Sequence, residues 1–366
     1  MRSALGTVHF TALDGLRGFA SLYVVLYHFT VWVVAPLPAW LALSQRPFAF
    51  GHLPVSVFIV LSGFSLMLPV AATGTLRGGT TQYLGRRARR ILPPYYAALL
   101  LAVVVSVTVG GVDLARNATS LLTHVALIHN LFLPFAFDWN MAHWTVGVEW
   151  QIYFLFPLLL LPAWRYGGAL TTLIVAAIVS ALPLALLPRD ANLAWACPWY
   201  VLLFVQGMLA AVASERGCSH KTRRLLKAAG FGCVLLYLSS WVVFRGVWTT
   251  NPGLNFAKDA LVGAAVAVLL LELTLNVRAG KGRRLIGQLL ESRPAVALGG
   301  MSYSLYLVHC SILSICLALL QRTEWSPSAG FAFRLLVGVP ASIACAWVFS
   351  VCFERRAVRA RTREVV

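Results

Sequence analysis

Charged residues are scarce in this chain of 366 amino acids: Asp, Glu, Lys and Arg make up 11%, and only 12 residues are acidic. A water-soluble domain carries about 25% charged residues. Because 59% of the residues are hydrophobic, the shortage of charge excludes a surface that mostly faces water. The composition predicts a protein whose solvent is largely lipid.

The few charges that are present give a formal net charge of +18. A nucleic-acid-binding protein would gather such an excess into one stripe or patch. Here the basic residues form short clusters between long apolar runs, which is typical of loops held against an anionic membrane surface. We therefore expect membrane lipids as partners and no nucleic acid.

A metal-ligand pattern is also lacking. The seven cysteines lie mostly inside apolar runs, without the spacing of a zinc site, so we expect small core residues and no bound metal. No cleavable signal peptide is evident, because the first apolar run begins near Gly18 and carries His28 within it.

Ten apolar stretches are long enough to cross a bilayer, which takes about 17–25 residues. They are 18–35, 54–73, 91–111, 143–163, 169–187, 195–214, 226–244, 257–276, 298–321 and 330–352. A further stretch, 118–137, is interrupted by histidines and a proline, and we interpret it as a re-entrant or surface segment. The sequence predicts an all-α integral membrane protein, a bundle of about ten transmembrane helices.

The basic clusters set the orientation, since cytoplasmic loops carry an excess of Lys and Arg. If the N-terminus is inside, the long inside loops hold the clusters at 86–90, 216–227 and 278–293, and no long outside loop is basic. Both termini are then cytoplasmic. We see no repeat and no appended soluble domain, so residues 1–366 are interpreted as one multi-pass membrane domain.

The first span carries two ionisable residues, Arg17 and His28, eleven positions apart. At 100° per residue they share one helix face, separated by about 16 Å along the axis. One therefore lies near the cytoplasmic rim and the other well inside the membrane. An ionisable group at that depth indicates a functional site, although a histidine bonded only for packing remains an alternative.

Five motifs occur in order along the chain. They are Arg17 with His28, residues 58–64 (FIVLSGF), residues 86–95 (RRARRILPPY), residues 143–153 (HWTVGVEWQIY) and residues 300–309 (GMSYSLYLVH). Together they resemble the acyltransferase-3 family of integral membrane O-acyltransferases. This chain departs from the family pattern at Thr145, where Ser is usual, at Val308, where Trp is usual, and at Arg355, where Pro is common.

The resemblance implies an acyl-CoA-dependent O-acyltransferase of the bacterial cytoplasmic membrane. Acyl-CoA, with acetyl as the expected acyl group, is then a donor substrate rather than a permanently bound cofactor. The acceptor would be a hydroxyl of a cell-surface or exported saccharide, or of a lipid-linked glycan. The oligomeric state, the acyl group and the leaflet of transfer stay open.

The motifs also assign candidate roles. Three groups are expected: a catalytic set of His28, Arg17 and Glu149; a CoA-binding set of Arg87, Arg90 and Arg17; and a substrate-binding set of Trp144, Ser302, Tyr303 and His309. Arg suits CoA phosphates because it donates two parallel hydrogen bonds. A neutral imidazole suits removal of a hydroxyl proton, which makes His28 the expected general base.

Some alternatives remain open. Three roles are open for Glu149: orienting a catalytic histidine, binding acceptor hydroxyls, or serving as a structural hydrogen-bond partner. His28, Glu149 and His309 would also suit the proton path of a secondary transporter. The lack of a two-half repeat argues against that function. A non-catalytic scaffold for polysaccharide assembly is the third hypothesis, and it would leave His28 dispensable.

Overall fold

A computed structural model describes residues 10–31, 37–188, 191–243, 251–280 and 285–354. Within those ranges the chain is helical and contains no β-strand. The α-helices are α1 (Thr11–Val31), α2 (Ala39–Gln45), α3 (His52–Thr73), α4 (Gly79–Thr108), α5 (Ala118–Val125), α6 (Trp144–Leu155), α7 (Leu161–Leu186), α8 (Leu193–Ala196), α9 (Tyr200–Arg216), α10 (His220–Val243), α11 (Pro252–Arg278), α12 (Leu285–Leu290), α13 (Arg293–Gly299), α14 (Ser302–Gln321), α15 (Pro327–Phe333) and α16 (Val339–Phe349).

Eight helical runs are long and apolar enough to cross a membrane. They are Ala39–Thr73, Gly79–Thr108, Trp144–Leu186, Leu193–Arg216, His220–Val243, Pro252–Arg278, Ser302–Gln321 and Pro327–Glu354. A multi-pass, all-α membrane protein is therefore confirmed.

The total of about ten spans stays a prediction. The run Trp144–Leu186 covers two predicted spans and is broken at Gly168, whose φ of 67° and ψ of −152° are not helical. The first predicted span corresponds to α1, which is not among the eight runs because its polar residues lower its mean hydropathy. Both termini and the basic residues at 281–284 lie outside the described residues, so the predicted orientation also stays a prediction.

The segment 118–137 is organised as the eight-residue α5 and a 3-10 turn at His129–Leu131. Eight helical residues rise only about 12 Å, which is far less than the roughly 30 Å of a hydrocarbon core. This agrees with the interpretation of the segment as re-entrant or superficial.

Close helix approach through glycine builds the centre of the bundle. A Cβ added to Gly63 of α3 would lie 2.0 Å from Phe204 O of α9, and one added to Gly207 of α9 would lie 2.1 Å from Val60 O. Only glycine fits at these two positions. Such small residues let membrane helices pack at short range, where van der Waals contact stabilises them.

A second close approach fixes the start of α1. A Cβ on Gly18 would lie 2.3 Å from Ala295 O, and one on Gly299 would lie 2.0 Å from Asp14 O. Asp14 stands in the first turn of α1, where a carboxylate interacts favourably with the helix dipole. The packing of α1 against α13 therefore places Arg17, one turn further on, between neighbouring helices.

Candidate active site

One pocket of about 860 Å³, counting the open space at its mouth, is enclosed by α1, α3, α4, α6 and α14. Its wall residues are Arg17, Val55, Phe58, Ile59, Ser62, Ser65, Leu66, Arg87, Arg90, Ile91, Thr145, Val146, Glu149, Tyr153, Ser302, Tyr303 and Tyr306. Four of the five sequence motifs therefore contribute several of their residues to one cavity, and the motif of the first span contributes Arg17.

Three arginines contribute positive charge to this pocket. Arg17 donates from Nη1 to Asp14 Oδ1 at 2.9 Å and from Nη2 to Ser65 Oγ at 2.7 Å. Arg87 and Arg90 come from the polar half of α4, and the guanidinium of Arg87 lies 6.0 Å from the centre of the Tyr153 ring. The buried Nε of Arg87 makes no hydrogen bond to the described residues.

Glu149 lies on the same wall, bonded within the protein. Ser62 Oγ donates to Glu149 Oε1 at 2.8 Å, and the hydroxyl of Tyr153 donates to the same oxygen. Tyr153 follows Glu149 by four residues, so the two share a face of α6. This geometry favours the structural and acceptor-binding alternatives for Glu149 over the orientation of a histidine.

Tyr306 and Thr145 lie side by side on another part of the pocket wall. The Tyr306 hydroxyl donates to Ala142 O at 2.8 Å and lies 2.6 Å from Thr145 Oγ1. Its ring packs edge-on against Phe58, with the ring centres 6.0 Å apart. Tyr306 is thus held by hydrogen bonds at its hydroxyl and by Phe58 against its ring.

A pair of buried histidines, His28 and His309, lies next to Tyr306. His309 Nε2 is 3.0 Å from His28 Nδ1, and the centre of the His309 ring is 6.0 Å from that of Tyr306. His28 is 7% exposed and His309 is fully buried. Neither belongs to the pocket wall, and the wall residue Tyr306 is in ring contact with His309.

Cys310 adjoins this pair, with its Sγ 3.4 Å from His309 Nε2. Among the described residues, His28, His309 and Cys310 form one group close enough to surround a metal ion. However, His28 Nδ1 is bonded to the carbonyl oxygen of Val24 at 3.0 Å and must carry a hydrogen there. The lone pair of His28 is then on Nε2, and the expected lack of a bound metal stays a prediction.

The structure distributes the predicted site residues over three places. Arg17, Arg87, Arg90, Glu149, Ser302 and Tyr303 lie on the pocket wall, and His28 and His309 form the pair behind it. Trp144 lies apart from the pocket wall and packs against Trp195, with ring centres 5.2 Å apart. Ser302 and Tyr303 make their own structural bonds, to Gly299 O at 2.9 Å and Ile91 O at 3.2 Å.

Several wall residues were not assigned a role from the sequence. Tyr306 stands inside the 300–309 motif, and its position three residues before His309 indicated that the two share a helix face. Ser65, by contrast, is brought to Arg17 only by the packing of α3 against α1. No pattern in the sequence predicts that contact.

Comparison with known proteins gives a consistent result. A family model described as an acyltransferase domain, that of the acyltransferase-3 family, matches residues 10–351. O-acetyltransferase OatA of Staphylococcus aureus is 24% identical over 336 residues, covering 82% of this chain and 50% of OatA. Acyltransferase MdmB of Streptomyces mycarofaciens is 24% identical over 371 residues, covering 92% of this chain and 89% of MdmB.

A shorter similarity is shared with a putative acetyltransferase, ORF330, of Acidianus two-tailed virus, which is 28% identical over 144 residues, or 39% of each chain. The match with this chain therefore spans about half of OatA and less than half of ORF330, but most of MdmB. No solved structure shows a significant match.

Proposed function

Because the chain belongs to the acyltransferase-3 family, we propose that it is a membrane O-acyltransferase that uses acyl-CoA as donor and a saccharide hydroxyl as acceptor. The observation that carries the proposal is a pocket whose wall holds three arginines and Tyr306, with a pair of buried histidines in contact with Tyr306 through His309. The expected donor is acetyl-CoA. The expected acceptor is a cell-surface or exported saccharide or a lipid-linked glycan, at the bacterial cytoplasmic membrane.

The arginines fit the phosphates of CoA. Arg17, Arg87 and Arg90 are contributed by two different helices, so a multiply charged ligand can contact all of them at once. Guanidinium groups bind phosphate through paired, charge-assisted hydrogen bonds.

The remaining wall fits the uncharged part of the donor. Beyond the arginines, the pocket is lined by Val55, Ile59 and Val146 and by the hydroxyls of Ser62 and Thr145. A thin chain with amide groups and apolar segments, such as pantetheine, would find both kinds of partner there. Its thioester would then stop at Tyr306, and we expect a rotation of this side chain to precede the reaction.

His28 supplies the base in this proposal. The acceptor oxygen forms a bond to the thioester carbonyl carbon, and the carbon–sulfur bond breaks. The hydroxyl proton passes to His28 and from there to the CoA sulfur, which leaves as a thiol. A positioned base of this kind contributes about 10²- to 10⁴-fold to rate.

The transporter alternative receives no support from the geometry. It requires Glu149 to continue a proton path with His28 and His309. Instead, Glu149 is bonded to Ser62 and Tyr153 on the pocket wall. The two histidines are not part of that wall, and His309 packs against Tyr306. Membership of an acyltransferase family also argues against transport as the main activity.

The direct experiment measures thiol release from acetyl-CoA by the purified protein in lipid nanodiscs, with and without a panel of saccharide acceptors. We expect release to depend on an acceptor and to fall at least about 100-fold in His28→Ala. Full activity in a folded His28→Ala protein would remove His28 from the chemistry. No CoA binding and no thiol release by the folded wild type would overturn the proposed function.

Binding of CoA is tested separately with arginine variants. Arg87→Gln and Arg90→Gln should each weaken CoA binding by about 10-fold, the cost of a charge-assisted hydrogen bond. Arg89→Gln is the matched control, because Arg89 lies on the same helix but is not a wall residue. Equal losses in all three variants would indicate a general effect of charge rather than a phosphate site.

A further inference from the structure

The hydrogen-bond directions around His28 and His309 determine which nitrogen carries each proton. His309 Nδ1 lies 3.0 Å from Leu305 O, and His28 Nδ1 lies 3.0 Å from Val24 O. A carbonyl oxygen only accepts, so both Nδ1 atoms must be donors. A neutral imidazole has one N–H, and the lone pair of each ring is therefore on Nε2.

This assignment gives the contact between the two rings a direction. His309 Nε2 carries a lone pair and lies 3.0 Å from His28 Nδ1, which carries a hydrogen. The His28 Nδ1–H is thus shared between Val24 O and His309 Nε2, a three-centre arrangement common in proteins. His309 is the acceptor in this pair and His28 is the donor.

We infer that His309 is a positioning residue that holds the His28 ring through Nδ1, with His28 Nε2 as the atom that receives the acceptor's proton. This inference rests on the proposed acyl transfer. It assigns His309 a part that resembles that of the carboxylate behind the histidine of a serine protease, which fixes the tautomer and stabilises the imidazolium.

The energetic reason lies in the change of charge on His28 during the reaction. When Nε2 takes the hydroxyl proton, His28 becomes an imidazolium, and its Nδ1–H bonds become charge-assisted and stronger. The lone pair on His309 Nε2 accepts one of these bonds in a site that excludes water, since His309 is fully buried. The proton then leaves Nε2 for the CoA sulfur as the carbon–sulfur bond breaks, and both rings return to their neutral tautomers.

The effect should appear in turnover and not in donor binding. His309 is not a wall residue of the pocket, so its substitution leaves the CoA contacts in place. We expect His309→Leu to lower kcat by about 10- to 100-fold with little change in KM for acetyl-CoA. This is less than the roughly 10⁴-fold loss in a protease, where the lost partner is an anion.

Two further variants separate positioning from packing. His309→Gln keeps a side-chain oxygen that can accept from His28 Nδ1, so it should recover part of the kcat lost in His309→Leu. Cys310→Ala is the matched control, because its Sγ lies 3.4 Å from the same His309 nitrogen but takes no part in holding His28. Its kcat should stay within about 3-fold of the wild type. A loss in Cys310→Ala equal to that in His309→Leu would overturn the inference.

Nuclear magnetic resonance gives a readout that does not depend on activity. With ¹⁵N-labelled histidine, the His28 signals are assigned by comparison with His28→Gln. We expect Nδ1 of His28 to be protonated and Nε2 to be unprotonated in the neutral wild type, and the Nδ1 proton to shift upfield in His309→Leu. An unchanged Nδ1–H signal, together with equal kcat in His309→Leu and His309→Gln, would overturn the inference.

The inference and the proposed function fail in different ways. If the folded wild type releases no thiol from acetyl-CoA, the proposed function is wrong, and with it the catalytic meaning of the pair. If the wild type is active and His309→Leu retains full kcat, the proposed function stands and the positioning role of His309 is wrong.

Discussion

Arg17 Nη2 donates a hydrogen bond of 2.7 Å to Ser65 Oγ, which joins the first helix to α3 at the wall of the pocket. Its other terminal nitrogen is bonded to Asp14. The guanidinium is therefore held in a fixed orientation before any ligand binds. Such preorganisation lowers the entropic cost of binding.

This relationship predicts a difference between Arg17→Lys and Ser65→Ala. Lysine keeps the positive charge but cannot bond to Asp14, Ser65 and a phosphate in the same planar geometry. We expect KM for acetyl-CoA to rise about 10-fold in Arg17→Lys, from loss of a charge-assisted bond. Ser65→Ala removes the anchor alone and should cause a smaller rise. Steady-state kinetics on both variants measures this, and an unchanged KM in Arg17→Lys would exclude Arg17 from the donor site.

A second prediction concerns the length of the acyl group. In the proposed donor site the thioester would stop at Tyr306, which lies on the pocket wall, so the Tyr306 side chain should limit the space available to the acyl group. Tyr306→Ala should raise kcat/KM for hexanoyl-CoA relative to acetyl-CoA by at least about 10-fold, in line with roughly 1–3 kcal/mol per apolar group accommodated.

The control for this prediction is Tyr306→Phe, which keeps the ring and removes only the bonds to Ala142 O and Thr145. Its preference between the two donors should match that of the wild type. The measurement is a competition between acetyl-CoA and hexanoyl-CoA with product analysis. A wild-type ratio in Tyr306→Ala would mean that the donor does not extend to Tyr306.

The relation between Arg17 and His28 shows how far the sequence could predict the site. Their spacing predicts a common helix face, and helix α1 contains both residues. Only Arg17 lies on the pocket wall, however, whereas His28 contacts His309 of a distant helix away from that wall. The periodicity of one helix cannot predict which neighbouring side chain will cover it.

The partners of His28 and Glu149 illustrate the same limit. His309 lies 281 positions from His28 in the chain, and no local pattern encodes that contact. Glu149 and Tyr153 are four residues apart on α6, so their bond was accessible from helix geometry alone. Local pairs were therefore predictable, whereas pairs between helices required the packing of the bundle.

The glycine pair at the centre of the bundle predicts a large loss of stability. A methyl group at Gly63 would lie 2.0 Å from backbone oxygen Phe204 O, which cannot move without separating α3 from α9. We expect Gly63→Ala to lower the free energy of unfolding by about 1–3 kcal/mol, as other overpacked core sites do. Thermal unfolding in detergent, followed by intrinsic tryptophan fluorescence, measures the change.

Gly85→Ala provides the matched control for that measurement. Gly85 also lies within a helix, α4, but a Cβ there would meet nothing within 4 Å. Alanine is favoured over glycine in a helix interior by up to about 1 kcal/mol, so this variant should be neutral or more stable. A similar melting temperature for Gly63→Ala and Gly85→Ala would contradict the close packing of α3 on α9.

Acid sensitivity should originate partly from His129, which lies outside the eight candidate spans. Its ring stacks on His124, with centres 3.9 Å apart. Burial, and secondarily the neighbouring His124, lower the pKa of His129 from 6.5 to about 3. Between these two values the unfolded chain binds a proton that the folded protein does not, so stability falls as the pH is lowered through this range.

The expected loss attributable to His129 is about 1.4 kcal/mol for each pH unit below about 6.5. His129→Phe keeps an aromatic ring against His124 but cannot take up the proton in the unfolded state. Its melting temperature should therefore decline less than that of the wild type between pH 7 and pH 5. His220→Gln, which replaces an exposed histidine, should follow the wild-type curve. If His129→Phe also follows that curve, then His129 is protonated to the same extent in the folded and unfolded protein, and the acid sensitivity has another source.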